Sequence, residues 1–296
     1  MVQPIERREF LLGALPMAFP RPKPKYRIID PHVHVWVNDP RYPWAKETSQ
    51  PPTKDATPAM LLELMKANHV ARTVIVQPIY YRWDNRYVAE SVREYRPYFQ
   101  SVCRVNPADP AAPDHLSKLV EQGFRGVRLS PAADSSGDWI TSPLMPPLWK
   151  RTEALKVPML ILTAITRIPE VGRLIEKCPD LDVVIDHMAD CPVDQPQELH
   201  KLLALARYPR VYVKISHTWS ISKQDYPWLD AQEHVKRLYA VYGPKRLMWC
   251  TDWPVCEAKT TYHRTLTVVR DDMKFLSEND KSWILSKTAE RLWPFS

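Results

Sequence analysis

Along most of the chain after residue 25, short apolar and β-branched runs alternate with segments whose apolar residues recur at spacings of three and four. The runs read YRIID (26–30), ARTVIVQPI (71–79), YFQSVCRV (98–105), GFRGVRLS (123–130), VPMLILT (157–163), LDVVIDHM (181–188), RVYVKIS (210–216) and RLMWCTD (246–252). Continuous apolar runs of this length suit parallel strands buried on both faces. Between them, PAMLLELMKANH, NRYVAESVREY, DHLSKLVEQ, PPLWKRTEAL, IPEVGRLIEKC, PQELHKLLALA and AQEHVKRLYAVY carry helical periodicity; YHRTLTVVRDDMKFL and ENDKSWILSKTAERLW follow the last run. Eight strands with intervening helices predict an α/β protein, a (β/α)8 TIM barrel forming one domain over residues 26–296. A doubly wound open sheet is the competing arrangement. It usually carries a glycine-rich first turn, whereas this chain has six glycines and no G-x-G-x-x-G.

In a barrel, polar residues at the carboxyl ends of strands face the site. The first run leads into IIDPHVHVW, where strand alternation places His32 and His34 on the same side. By itself a His-x-His pair is equally well two histidines in ordinary hydrogen bonds. His187 ends the sixth run and Asp252 the eighth, however, and strands one and eight are neighbours in a closed barrel, so His32, His34 and Asp252 are expected to converge with His187 nearby. The same alternation predicts that Asp186 points away from His187, into a structural bond behind the barrel.

The ordered set DPHVHVW, WDNRYVAE, GFRGVRL, VIDHM, VYVKIS, TDWP and ILSKTAERLW resembles the amidohydrolase superfamily. The similarity is to its amidohydrolase-related (amidohydrolase 2) branch, which holds pyrone-dicarboxylate lactonases, sugar-acid lactonases and metal-dependent decarboxylases. It covers nearly everything after residue 26. The resemblance implies that His32 and His34 are the strand-one pair, His187 the strand-six histidine, and Asp252 the strand-eight acid that activates water. Three departures stand out. Thr163 ends strand five where the branch's metal-binding decarboxylases have a histidine, Thr288 stands where asparagine is usual, and His217 stands where glycine is common.

A catalytic zinc usually has three protein ligands plus water, and His32, His34 and Asp252 supply three. Without the strand-five histidine, one divalent metal (zinc or manganese) and metal-free catalysis are equal alternatives. Hydrolysis of an ester needs a base and donors for the oxyanion. Asp252 would be the base, with His32, His34 and His187 polarising the carbonyl directly or through the metal. Arginine's planar fork suits substrate carboxylates; the candidates are Arg128 near the end of strand four, Arg82 after strand two and Arg104 in strand three. Lys214 in strand seven either faces the barrel interior or pairs with a carboxylate outside it. The turn-rich PAADSSGDWITSPLMPP after strand four reads as a lid.

Charge narrows the partners. Of the net +7, +3 falls in the first 25 residues, where Arg7, Arg8, Arg21, Lys23 and Lys25 oppose Glu6 and Glu9. The remainder is only mildly basic, with no basic cluster interleaved with aromatics, which argues against nucleic acid and leaves a small anionic carboxylate substrate as the expected partner. No run reaches the ~20 apolar residues of a membrane span. Five scattered cysteines without C-x-x-C spacing do not form a disulfide framework. Residues 1–25, with paired arginines, the apolar stretch Phe10–Phe19 and a Pro/Lys-rich spacer, resemble a twin-arginine signal and imply periplasmic export; an N-terminal arm on a cytoplasmic protein is the alternative.

Three functions are therefore in play: a hydrolase of a carboxylate-bearing lactone, a metal-dependent decarboxylase, and a non-catalytic solute-binding barrel. The absent strand-five histidine counts against the second, and the intact acid and histidines against the third.

Overall fold

The computed structural model describes residues 26–130 and 139–295. The expected export signal and the first part of the expected lid, residues 131–138, lie outside the described residues. The strands are β1 (Ile28–Val33), β2 (Val70–Val76), β3 (Phe99–Val102), β4 (Val127–Leu129), β5 (Met159–Ile161), β6 (Val183–Ile185), β7 (Val211–Lys214) and β8 (Leu247–Met248). All pair in parallel with their chain neighbours, in two sheets, β1-β2-β3 and β4 through β8. Single parallel bridges join the sheets at both seams. At one, Cys103 meets Val127, with Cys103 N–H donating to Gly126 O and Arg128 N–H to Cys103 O, both at 2.9 Å. At the other, Val33 meets Trp253, with His34 N–H donating to Trp253 O at 2.7 Å and Asp252 N–H to His32 O at 3.0 Å. The strands thus follow chain order all the way round, as a (β/α)8 barrel requires and a doubly wound sheet, whose order reverses, does not.

The helices are α1 (Pro58–Ala67), α2 (Arg86–Glu94), α3 (Ala112–Glu121), α4 (Met145–Ala154), α5 (Ile168–Ile175), α6 (His200–Ala204), α7 (Thr218–Ile221), α8 (Leu229–Tyr242), α9 (Tyr262–Thr267), α10 (Glu278–Ser282) and α11 (Thr288–Leu292). Prolines in the first turns of α1, α3, α4 and α5 use positions whose N–H has no intrahelical partner, which accounts for part of the high proline content. Thr57 caps α1 by accepting from Met60 N–H, and Ser277 with Asp280 forms a capping box on α10. No helix among the described residues is long and apolar enough to cross a membrane.

Strand alternation divides the core in two. Val127, Leu129, Met159, Ile161, Val183, Ile185, Val211 and Val213 pack outward in one cluster with the helices. Ile29, Val74, Val76, Val102, Leu160, Val184, Tyr212 and Met248 form a second, inner cluster with Ala289, Leu292 and Trp293. Trp293 Nε1 donates to Arg125 O at 3.0 Å, so the C-terminal segment seals the barrel against the start of β4. Each fully buried aliphatic side chain of this kind contributes roughly 1.5–3 kcal/mol relative to exposure.

The strand bounds differ from the apolar runs throughout, and at two strands the cause is visible. β1 starts at Ile28 and runs on through Pro31 to Val33, with register irregularity between Asp30 and Val33. β8 is only two residues long because the chain beyond it bonds elsewhere: Trp249 N–H donates to Ile284 O at 3.0 Å, and Thr251 N–H to the Asp30 carboxylate at 3.1 Å.

Candidate active site

Asp30 anchors the first strand end to the last. Its carboxylate accepts from Thr251 Oγ1 (2.6 Å) and from the N–H groups of Thr251 and His32. Complete burial pushes it up to about 6 against these hydrogen bonds. Beyond it, His32 and His34 both turn inward and meet Asp252, as alternation requires. His32 Nε2 lies 3.5 Å, and His34 Nε2 3.1 Å, from Asp252 Oδ1. Asp252 itself has φ of 57°, in the left-handed region, which turns its carboxylate back toward β1.

The expectation for Asp186 is overturned. Inward residues on β6 and β7 include Val184 and Tyr212, so Asp186 and Lys214, two positions later, keep the inward phase. Both are wholly buried. Lys214 Nζ pairs with Asp186 Oδ1 at 3.0 Å, and Arg128 Nε with Asp186 Oδ2 at 2.9 Å. Burial would raise this carboxyl, but Lys214, His32 and Arg128 outweigh it and hold Asp186 well below the usual carboxylate range. His187 also reaches the site because residues 187 to 190 all have positive φ. This left-handed turn breaks the alternation and brings two successive side chains inward.

Each imidazole has a partner on its far nitrogen. His34 Nδ1 donates to Val76 O at 2.7 Å, His187 Nδ1 meets Ser216 Oγ at 2.7 Å, and His32 Nδ1 meets Lys214 Nζ at 2.9 Å. Burial, reinforced by Lys214 for His32 and by His217 for His187, holds both rings well below the ordinary imidazole range. They are neutral. Asp252 is held well below the carboxylate range, because the surrounding imidazoles overcome its burial. It is ionised at neutral pH.

His217 is the site residue that sequence reasoning missed. Its Nε2 donates to Asp252 Oδ2 at 2.8 Å and its Nδ1 to Asp190 Oδ1 at 2.9 Å. Its ring stacks on His187 with centroids 3.6 Å apart and planes within 1°. Burial opposes the charge, but the two carboxylates push His217 up to about 9. Its φ of 63° explains why glycine suits the position. The available signal was the histidine itself, standing where glycine is common.

The expected arginines lie in different settings. Arg128 is inside the barrel, nearly buried, with its Nε engaged by Asp186. Arg104 is fully buried with its guanidinium 5.7 Å over the Trp83 ring, and its backbone exchanges two hydrogen bonds with the Asn85 amide. Arg82, with φ of 51°, follows the single helical turn Ile79–Tyr81. Thr163 at the end of β5 is buried, and its hydroxyl has no hydrogen-bond partner. All five cysteines are free and buried.

Among the described residues, His32, His187 and Asp252 bring one ligand atom each within 4.8 Å of one another, so this site could bind a metal ion. The donor set fits a divalent ion in type: two imidazoles and a carboxylate, with His32 Nε2 and Asp252 Oδ1 both buried without a hydrogen-bond partner. His34, the other histidine of the sequence-based ligand set, adds its Nε2 beside the same carboxylate oxygen. An ionised carboxylate next to neutral imidazoles can also accept a proton from water while ring N–H groups stabilise an oxyanion.

Known proteins share this frame. The chain is 29% identical over 235 residues to an L-fucono-1,5-lactonase of Burkholderia ambifaria, covering 77% of this chain and 80% of the relative. It is 24% identical over 247 residues to a 2-pyrone-4,6-dicarboxylate hydrolase of Comamonas testosteroni, covering 78% and 79%. The crystal structure of an amidohydrolase from Burkholderia multivorans with bound zinc superimposes with a TM-score of 0.76 at 19% identity, over 91% of this chain and all of that one. The amidohydrolase family pattern matches residues 29–295, and with that span matched, the chain belongs to the amidohydrolase family.

Proposed function

We propose that this enzyme hydrolyses a small lactone bearing carboxylate groups. The observation that carries the reading is the ionised Asp252 carboxylate, whose Oδ1 has no hydrogen-bond partner and faces His32 and His34. Lactone hydrolysis by the two sequence relatives supports the reaction class. Asp252 Oδ1 accepts a proton as water attacks the carbonyl carbon. The ring N–H groups that face the site stabilise the oxyanion, and the opened ring's alkoxide takes the proton back from Asp252. Arg128 is the first candidate to hold a substrate carboxylate, with Arg82 and Arg104 on the neighbouring β2 and β3 ends as the others.

A divalent metal, when bound, would be held by His32, His187 and Asp252, with His34 adjacent, and would supply Lewis-acid polarisation of the carbonyl. The absence of an imidazole at Thr163 favours the hydrolase over a decarboxylase. Export by the twin-arginine route is part of the proposal and rests on Arg7, Arg8 and the apolar Phe10–Phe19.

The test is Asp252→Asn assayed by acid release from a panel of sugar-acid and dicarboxylate lactones. The expected loss is about 10²- to 10⁴-fold in kcat, the usual contribution of a general base. Full turnover by the folded variant would remove Asp252 from the mechanism.

A further inference from the structure

We infer that Lys214 is a positioning residue that fixes His32 as an Nε2–H donor, so that the site engages its substrate through His32 directly and binds a divalent metal weakly. The inference rests on the lactonase reading of the same site and deepens it.

Counting donors places the proton. Lys214 Nζ lies 2.9 Å from His32 Nδ1. An ammonium has three donors and no acceptor, so Nδ1 accepts. The proton of a neutral ring is then on Nε2, the atom that faces the site. That Nε2 is buried and makes no hydrogen bond, the nearest carboxylate oxygen, Asp252 Oδ1, standing 3.5 Å off. A buried N–H without an acceptor is costly unless a ligand completes it, and a carbonyl oxygen carrying developing negative charge is the acceptor that gains most.

Metal ligation needs the opposite tautomer. A ligating histidine donates its far N–H to a carboxylate or carbonyl and offers the near nitrogen's lone pair. His34 is arranged this way, donating Nδ1–H to Val76 O. For His32 to ligate, its proton would have to move to Nδ1 and face the ammonium. Lys214 cannot easily withdraw, since it is fully buried and paired at 3.0 Å with Asp186, which Arg128 also holds. Asp186 Oδ1 lies 3.5 Å from His32 Nδ1. Removing the ammonium therefore leaves a carboxylate positioned to accept the Nδ1–H of a ligating His32.

Two measurements test this on the full chain without substrate. The first is the ¹⁵N spectrum of ring-labelled protein freed of metal, with His32 assigned by the signal lost in His32→Gln. The wild type is expected to carry the His32 proton on Nε2, and Lys214→Met to carry it on Nδ1. The second is a zinc titration by calorimetry, in which Lys214→Met is expected to bind zinc about 10- to 100-fold more tightly, the usual weight of a partner behind a ligating histidine. A wild-type proton on Nδ1 overturns the inference, as does a folded Lys214→Met variant with unchanged zinc affinity. Should that variant not fold, the wild-type spectrum decides alone. Neither readout uses turnover, so a protein that opens no lactone would defeat the proposed function and leave the tautomer result intact.

Discussion

His217 gives the molecule a pH dependence whose sign and size follow from its two carboxylate partners. The groups facing it are Asp252 and Asp190, each in a hydrogen bond, and the neutral ring of His187 stacked on it. Its folded pKa is raised from 6.5 to about 9. A raised folded pKa means that the native state holds a proton that the unfolded chain releases. The stabilisation is fully present below pH 6.5, shrinks as pH rises, and is gone once pH passes about 9. Each tenfold gain in proton affinity on folding is worth about 1.4 kcal/mol, which sets an upper bound of roughly 3.5 kcal/mol. Solvent reaching Asp190 screens part of the interaction, so the realised value should be about 2 kcal/mol. The perturbation is His217→Asn, since asparagine tolerates the left-handed backbone. Denaturant unfolding of wild type and variant from about pH 6 to about pH 9.5, a range bracketing both pKa values, is the assay, and the quantity read is the difference between the two curves. Wild type should lose its advantage over the variant as pH rises through this window. Parallel curves would refute the assignment of a charged His217 between Asp190 and Asp252.

Further expectations follow from the buried charges and the N-terminus. Asp186→Asn leaves the Lys214 and Arg128 cations facing an amide inside the barrel and should cost about 3–5 kcal/mol of stability in urea unfolding; a loss below about 1 kcal/mol, the worth of an exposed pair, would mean that the pairing is not a buried one. The double substitution Arg7→Lys with Arg8→Lys should retain the protein in the cytoplasm when periplasmic and cytoplasmic fractions are compared by immunoblot, and unchanged periplasmic recovery would rule out the twin-arginine route.

The sequence by itself determined the strand and helix order, because period-two and period-3.6 patterns are local. With a closed barrel as the frame, it also anticipated that His32, His34, His187 and Asp252 come together, since each falls at a strand's carboxyl end. The tertiary structure alone decided three things. His187 joins the inward-facing Asp186 because residues 187 to 190 turn left-handed and break the strand alternation, a conformation that no local composition signal there announces. His217 joins the site because a backbone position with φ of 63° aims its ring between Asp190 and Asp252, residues distant in sequence. The proton of His32 is placed by Lys214, 182 positions away, through a contact that exists only once β1 and β7 share a barrel. Periodicity is written residue by residue and so can be read from the chain; hydrogen-bond partnership across the barrel depends on which side chains the closed sheet brings within about 3 Å, and that distance is set only by the fold.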